Sequence, residues 1–500
     1  MSASTAKFAV GEPLSRKQEF IWSEYMSGSS HQGCTEGLAR FISDHEQFPA
    51  QARSLAVDAV TDCIACIAGA VHEPIVPLLL QVVPSVSWRL NAAPERAATV
   101  IGLGRSAAAP DAAYLNGAMA HALDYDDITH PGYAHPSAVL VPALLAAGEV
   151  VNAKGSDLIS AYIVGIETIG KLGSALNQEH YKRGWHATST LGTMGAAAAA
   201  AHLIRLDSRR AAIALAIAAS SAGGLRANFG TMTKPIHAGM AARNGAMAAL
   251  MAQAGIDGCL DIIESPAGFA AVFESGKINW NALSDWGSRL EILSEYGIAL
   301  KAYPCCGATH TAIEAAQILR ANLAGRVDEI HRVRIGISEM ARGPLLSNWP
   351  TTPLEAKFHI GYCVAVALLD GEVKLSTFAQ ERLSDPLLIQ LMRRIEVYVD
   401  DRVRDDGEFA SVVSLMTVKG TTMEELVLLA KGKPARRLNR GQLLDKFLDC
   451  NAFGNTVATV ANAATRQFEL LQSLDSDIAV RDVVDELAFS GASPPHLLDS

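Results

Sequence analysis

Charged and aromatic side chains are scarce in this chain: Asp, Glu, Lys and Arg make up 19% of it and aromatic residues 6%. The net charge is −10 and no run of basic residues occurs. The cationic footprint of a nucleic-acid-binding protein is therefore missing. No apolar stretch reaches the roughly 20 residues that a bilayer demands; the longest, Ala138 to Ala147 and Ala211 to Leu225, fall short. The opening MSASTAKFAVGEPLSRKQEF is polar and lacks the apolar core of a signal peptide, so the cytoplasm is the expected compartment. Eight cysteines, Cys34, Cys63, Cys66, Cys259, Cys305, Cys306, Cys363 and Cys450, are scattered over 500 residues, which excludes a disulfide framework. Cys63 and Cys66 have redox or zinc half-site spacing. They lie inside the apolar stretch LAVDAVTDCIACIAGAV with no second such pair, and read as helix packing.

What the chain does have is small and apolar. Hydrophobic residues make up 49% and glycines number 40, enough for a large core and more than one domain. Residues 1–34 read as a polar N-terminal extension. From 35 to 296 apolar residues recur at helical spacing, as in AAYLNGAMAHAL, DLISAYIVGIETIGKLGSAL and GMAARNGAMAALMAQAG. From 297 to 438 the pattern changes. Val327 to Ser338, Arg393 to Asp401 and Ala410 to Gly420 alternate as half-buried strands do, with helical stretches between them. Residues 439–500 are helical again and are expected to return to the first domain. The fold class is mainly α: a large all-helical domain plus a smaller α+β domain.

Four polar islands interrupt the helical pattern. In HALDYDDITHPGYAHP, Asp124, Asp126 and Asp127 stand close to Thr129, His130 and His135. Such a cluster suits zinc or iron, or acid–base chemistry; it also suits a solvated loop after a helix. Arg183 to His186 precede a long apolar helix, whose N-terminus is a ready anion site. NFGTMTKPIH places Lys234 three residues before His237, where a cation for a substrate carboxylate is one reading and a solvated lysine the other. KAYPCCGATH carries Lys301, Cys305 and Cys306 at the domain junction, a favoured place for a pocket.

Taken in order, HALDYDD…HPSAVLVPALLAAGE, GWHATSTLG, NFGTMTKPIHAGMAARNG, KAYPCCGATHTAIEAA and EAKFHIGYCVAVALLDGEV resemble the MmgE/PrpD family over roughly residues 38 to 470. That family includes 2-methylcitrate dehydratase, cis-aconitate decarboxylase and iminodisuccinate epimerase. The resemblance implies the MmgE/PrpD fold, a helical domain with an α+β lid, usually as a homodimer. It implies no metal and no organic cofactor, and a di- or tricarboxylate substrate in a pocket between the domains. Carried over by motif, the catalytic positions are Asp124, His135, His186, Lys234 and Tyr362; substrate binding falls to Thr129, Lys301, Cys306 and His237. Two departures from the animal decarboxylases stand out. The Asp124–His135 loop is one residue longer, and Cys306 replaces a histidine, although fungal decarboxylase relatives share the Cys-Cys pair. GWHATSTLG and NFGTMTKP look like the epimerase, which lacks the counterpart of Tyr362.

The expected activity is a hydro-lyase reaction on a citrate-like tricarboxylate such as 2-methylcitrate or a longer alkylcitrate. Decarboxylation of a cis-aconitate-type substrate and epimerisation of a dicarboxylate are the alternatives; a metal-dependent hydrolase and a helical scaffold come from other classes. Lys234 and Lys301 would neutralise substrate carboxylates and the developing enediolate. His135 or His186 would be the base, with Asp124 orienting it, and Tyr362 or the other histidine would protonate the leaving hydroxyl.

Overall fold

The computed structural model describes residues 33–84, 86–88, 97–274, 277–403, 408–455 and 460–488. The N-terminal extension read over 1–34 lies almost wholly outside the described residues, as does the C-terminal end from 489 onward.

The fold is mainly α with a smaller α+β part. One hydrophobic core runs from Leu38 to Ile298 and takes in Leu443 to Leu487; a second gathers Tyr303 to Val427. In the first, the helices Ser137–Val151 and Ala187–Leu203 are buried along nearly their whole length. Their composition explains this: a helix apolar all round has no face to offer water, and Ala196 to Ala201 are each at most 1% exposed. Small residues let neighbours approach closely. A Cβ placed on Gly239, in the helix Thr233–Gln253, would sit 2.3 Å from the Tyr114 carbonyl oxygen of the helix Ala109–Ala122. The helices Arg440–Phe453 and Val460–Gln472 lie against the helix Ala50–Gly69.

In the second core a four-stranded sheet is ordered Ile395–Val399, Ile330–Ile337, Ser411–Thr417, Thr422–Val427. The first pairing is parallel and the others are antiparallel. The helices His310–Asn322 and Ile360–Asp370 pack on the sheet. Three of the strands fall where alternation placed them. Thr422–Val427 was not anticipated, because TMEELV has the composition of a helix; the hairpin turn at Gly420 (φ +80°) pairs it with Ser411–Thr417. A two-stranded ribbon, Ile128 opposite Ala299 and Thr129 opposite Ile298, ties the first polar island to the crossover between the domains.

Gly239→Ala checks the close packing. Helix propensity alone favours alanine by about 1 kcal/mol, but a Cβ at 2.3 Å from a backbone oxygen must push the helices apart. Overpacking typically costs about 1–3 kcal/mol, so the expected result is a net loss and a lower thermal midpoint. A midpoint equal to or above that of the parent protein would contradict the packing.

Candidate active site

The site is built on the turn Leu123 to Asp127, where the helix Ala109–Ala122 ends. Asp124 adopts left-handed backbone (φ +52°), which for a residue other than glycine persists only when its surroundings impose it. Four buried lysines do so. Lys357 Nζ donates to the Leu123 carbonyl at 2.7 Å. Lys301 Nζ donates to the Asp124 carbonyl at 2.8 Å and to its Oδ2 at 3.0 Å, and Lys234 pairs with Oδ1 of the same carboxylate. Lys446 Nζ donates to the carbonyls of Tyr125 (2.7 Å) and Lys301 (3.0 Å) and pairs with Asp62 at 2.6 Å. Burial pushes the Asp124 carboxyl upward, but Lys234 and Lys301 overcome it and hold the group well below the usual carboxylate range. Burial pulls Lys301 down, and Asp124 and Asp126 more than restore it.

Beside this turn lies a histidine cluster. Asp126 is fully buried, and its Oδ2 lies 2.7 Å from His121 Nδ1 and 3.2 Å from His135 Nδ1. An ionised carboxylate only accepts, so the hydrogen-bonded His121 Nδ1 carries hydrogen and its Nε2 is left as a lone pair, while His135 Nδ1 lies near the same oxygen without a hydrogen bond. Burial lowers His121 to about 3 despite Asp126, and Lys234 lowers it further. It also lowers His135 and His186, with Lys234 acting the same way on both. All three imidazoles are thus neutral bases near neutral pH. The His135 backbone N–H donates to Thr188 Oγ1 at 3.0 Å, which anchors the loop to the start of the helix Ala187–Leu203. His186 precedes that helix; its Nδ1 faces His237 Nδ1 at 3.0 Å and its Nε2 is buried without a partner. Asp127 plays a different part. It accepts from Ser137 N–H (3.1 Å) and Oγ (2.5 Å), burial pushes it up to about 8, and it holds the next helix.

His121, Asp126 and His135 bring one potential ligand atom each to within 4.8 Å of the others. Nitrogen and oxygen donors of this kind suit zinc or iron. Here His121 Nδ1 is hydrogen-bonded to Asp126 Oδ2 and His135 Nδ1 lies 3.2 Å from the same oxygen.

A cavity of about 50 Å³ opens onto these groups at the seam between the two cores. Asp124, His135, His186, Lys234, Lys301 and Cys306 supply its polar lining; Tyr133, Tyr181, Phe229, Phe358 and Phe409 are among its apolar walls. Aromatic walls around a few convergent polar groups are the usual form of a small-molecule site. A larger groove, about 500 Å³, runs along the edge strand Ile395–Val399 and includes Arg342, His359 and Tyr398, but it brings together no paired acid and base.

The chain matches the MmgE/PrpD N-terminal domain over residues 36–281 and the MmgE/PrpD C-terminal domain over residues 303–471. It belongs to the MmgE/PrpD family. It is 31% identical over 349 residues to the human cis-aconitate decarboxylase, covering 67% of this chain and 71% of that protein. The mouse cis-aconitate decarboxylase is 30% identical over 348 residues, 67% of this chain and 70% of its own length. For that of Aspergillus terreus the figures are 29% over 347 residues, 64% and 69%.

In this MmgE/PrpD chain, six of the nine site residues named from sequence line one cavity: Asp124, His135, His186, Lys234, Lys301 and Cys306. His237 stands behind His186. Thr129 lies in the short ribbon, its hydroxyl 3.4 Å from the Tyr296 carbonyl. Burial pushes the Cys306 thiol up to about 12, which keeps it protonated. Tyr362 is placed elsewhere: it is fully buried in the α+β core, its hydroxyl donates to the Thr377 carbonyl at 2.7 Å, and its ring packs on Phe378. It faces no reacting group, because its helix, Ile360–Asp370, is apolar on every side. Asp124 pairs with Lys234 and Lys301, and the carboxylate beside His121 and His135 is that of Asp126. Sequence reasoning passed over His121, Lys357 and Lys446. The available signal was the presence of a lysine in an otherwise apolar stretch, as in EAKFHIGY.

Two stability measurements test this architecture. Removing one member of a buried ion cluster typically costs about 3–5 kcal/mol, so Asp124→Asn should lower the unfolding free energy by that order without any ligand. An unchanged denaturation midpoint would refute the cluster. For His121, the unfolded chain takes up a proton near pH ~6.5 that the folded chain refuses. Its contribution is therefore complete above about 6.5 and is lost as pH falls toward about 3. Asp127, raised to about 8, acts with the opposite sign, so the comparison with a variant isolates the histidine. Between about pH 7 and about pH 5 the loss of stability should be shallower in His121→Asn than in the parent; equal slopes would refute the assignment.

Proposed function

We propose that the protein is a lyase acting on a citrate-like tricarboxylate without metal or organic cofactor, removing a proton next to a carboxylate and expelling hydroxide as water. The observation that carries this reading is His135 at the cavity wall beside Lys234 and Lys301, with the Asp126 carboxylate 3.2 Å from its Nδ1. Neutral histidines next to two lysines favour proton abstraction over proton donation. In the forward step His135 Nε2 takes the carbon-bound proton, and the electron pair passes into the adjacent carboxylate as an enediolate. Lys234 and Lys301 stabilise that charge, a term of the kind that usually dominates. The enediolate collapses, the carbon–oxygen bond breaks, and the imidazolium at His135, steadied by Asp126, returns its proton to the departing hydroxide. One alkene and one water leave, and the enzyme is unchanged.

A second reading is decarboxylation of cis-aconitate, supported by the names of the relatives at 29–31% identity. Incubation of purified protein with 2-methylcitrate and, separately, with cis-aconitate distinguishes the two. Alkene appearance without carbon dioxide supports dehydration, carbon dioxide release supports decarboxylation, and failure of both substrates would end the tricarboxylate reading. Asp126→Asn should lower kcat by about 10²–10⁴-fold, the worth of a correctly held base. The acid limb of kcat/KM in the parent should lie below the ordinary histidine value, because burial lowers His135. An acid limb above that value, or full activity in Asp126→Asn, would contradict His135 as the base.

A further inference from the structure

The charged residues lining the cavity are Lys234, Lys301 and Asp124, and the aspartate already pairs with both lysines before any substrate arrives. A tricarboxylate brings three negative charges, so a further favourable contact is required for the carboxylate farthest from the lysine pair.

The structure supplies it on the wall formed by the last turn of the helix Gly155–Lys182. Tyr181 lines the cavity there. The Arg226 guanidinium lies over its ring, with Cζ 3.7 Å from the centroid, and donates from Nη1 to the Tyr181 carbonyl at 2.8 Å. The same guanidinium is 5.8 Å from the ring of Phe229, another cavity wall. The backbone N–H of Arg226 donates to the Gly184 carbonyl at 2.9 Å, which fixes the arginine to the segment that carries Tyr181. Among the described residues no carboxylate pairs with Arg226, and its Nε is buried without a partner. A half-buried guanidinium with no counter-ion, packed flat on a phenol at a cavity wall, is held by its cation–π and backbone contacts. The position of the cation over the π-face also draws electron density from the phenol and strengthens its O–H as a donor.

We propose that Tyr181 and Arg226 form a second carboxylate-recognition point of this cavity. Tyr181 donates its hydroxyl to the remote carboxylate of a tricarboxylate. Arg226 acts through it as a positioning residue. The pair selects tricarboxylates over dicarboxylates. This rests on the tricarboxylate reading above, and it replaces no group in the chemical step: the hydroxyl holds the ligand and exchanges no proton with it.

The test is equilibrium binding to the full-length protein of cis-aconitate, a tricarboxylate, and succinate, a dicarboxylate. The proteins compared are the parent, Tyr181→Phe, Arg226→Gln and the double variant; Arg226→Lys serves as the conservative control. Tyr181→Phe and Arg226→Gln should each weaken cis-aconitate binding about tenfold or more, as expected for a lost charge-assisted contact, and change succinate binding less than about twofold. The double variant should lose no more than the worse single variant, since the two act as one unit, and Arg226→Lys should recover most of the loss. Thermal midpoints of the ligand-free proteins control for folding. Equal weakening of both ligands, additive losses, or parent-like binding by Tyr181→Phe would overturn the pair alone. A parent protein that binds succinate but not cis-aconitate would overturn both the pair and the tricarboxylate reading.

Discussion

Everything at the site depends on one buried carboxylate and the cations around it. Asp124 would be costly inside a protein if alone, as would Lys234 and Lys301; together they satisfy one another. Such clusters gain little over an apolar core of the same shape, but they are severely damaged by the loss of one member. Their value here is positional. Asp124 stays ionised and holds both ammonium groups at a cavity wall where a second carboxylate can share them. The left-handed backbone at Asp124 is tolerated because its carbonyl and both carboxylate oxygens are gripped at once.

From this arrangement follows the division of labour among the acids of DYDD. Asp124 keeps the cations in place. Asp126 holds His121 and lies against His135. Asp127, pushed up by burial, holds the helix that follows. Three like side chains within four residues are set to different states by what each of them touches. Tyr133 and Phe409 complete the enclosure where the domains meet; both are aromatic residues in left-handed backbone (φ +51° and +55°), held there by packing across the seam.

Much of the site was legible in the sequence because its residues are chemically conspicuous. Lys234, Lys301, His135 and His186 stand in polar islands between apolar helices, and each island bears on the cavity. The large helical part was legible for a similar reason, since its alanine-rich periodicity leaves few other structures open. What was hidden depended on three-dimensional direction. The link from His121 to Asp126 crosses a left-handed turn that no spacing rule describes. Tyr362 sits in an apolar helix whose burial points its hydroxyl to Thr377, and its residue type gave no hint of that. Lys357 and Lys446 donate to backbone carbonyls, and such partners leave no trace in side-chain motifs. Thr422–Val427 is a strand through its neighbour more than through its own composition.

The four lysines also bear on how the chain assembles. Their contacts with the turn span 110, 177, 234 and 321 residues of sequence. Contacts so distant close long loops, which slows folding. The turn is therefore a keystone that joins the helical part, the α+β part and the returning C-terminal helices. A chain released before that docking, or cut between its two cores, would hold the aspartates of this turn without their cations. The competence of the site thus reports on the completeness of the whole fold.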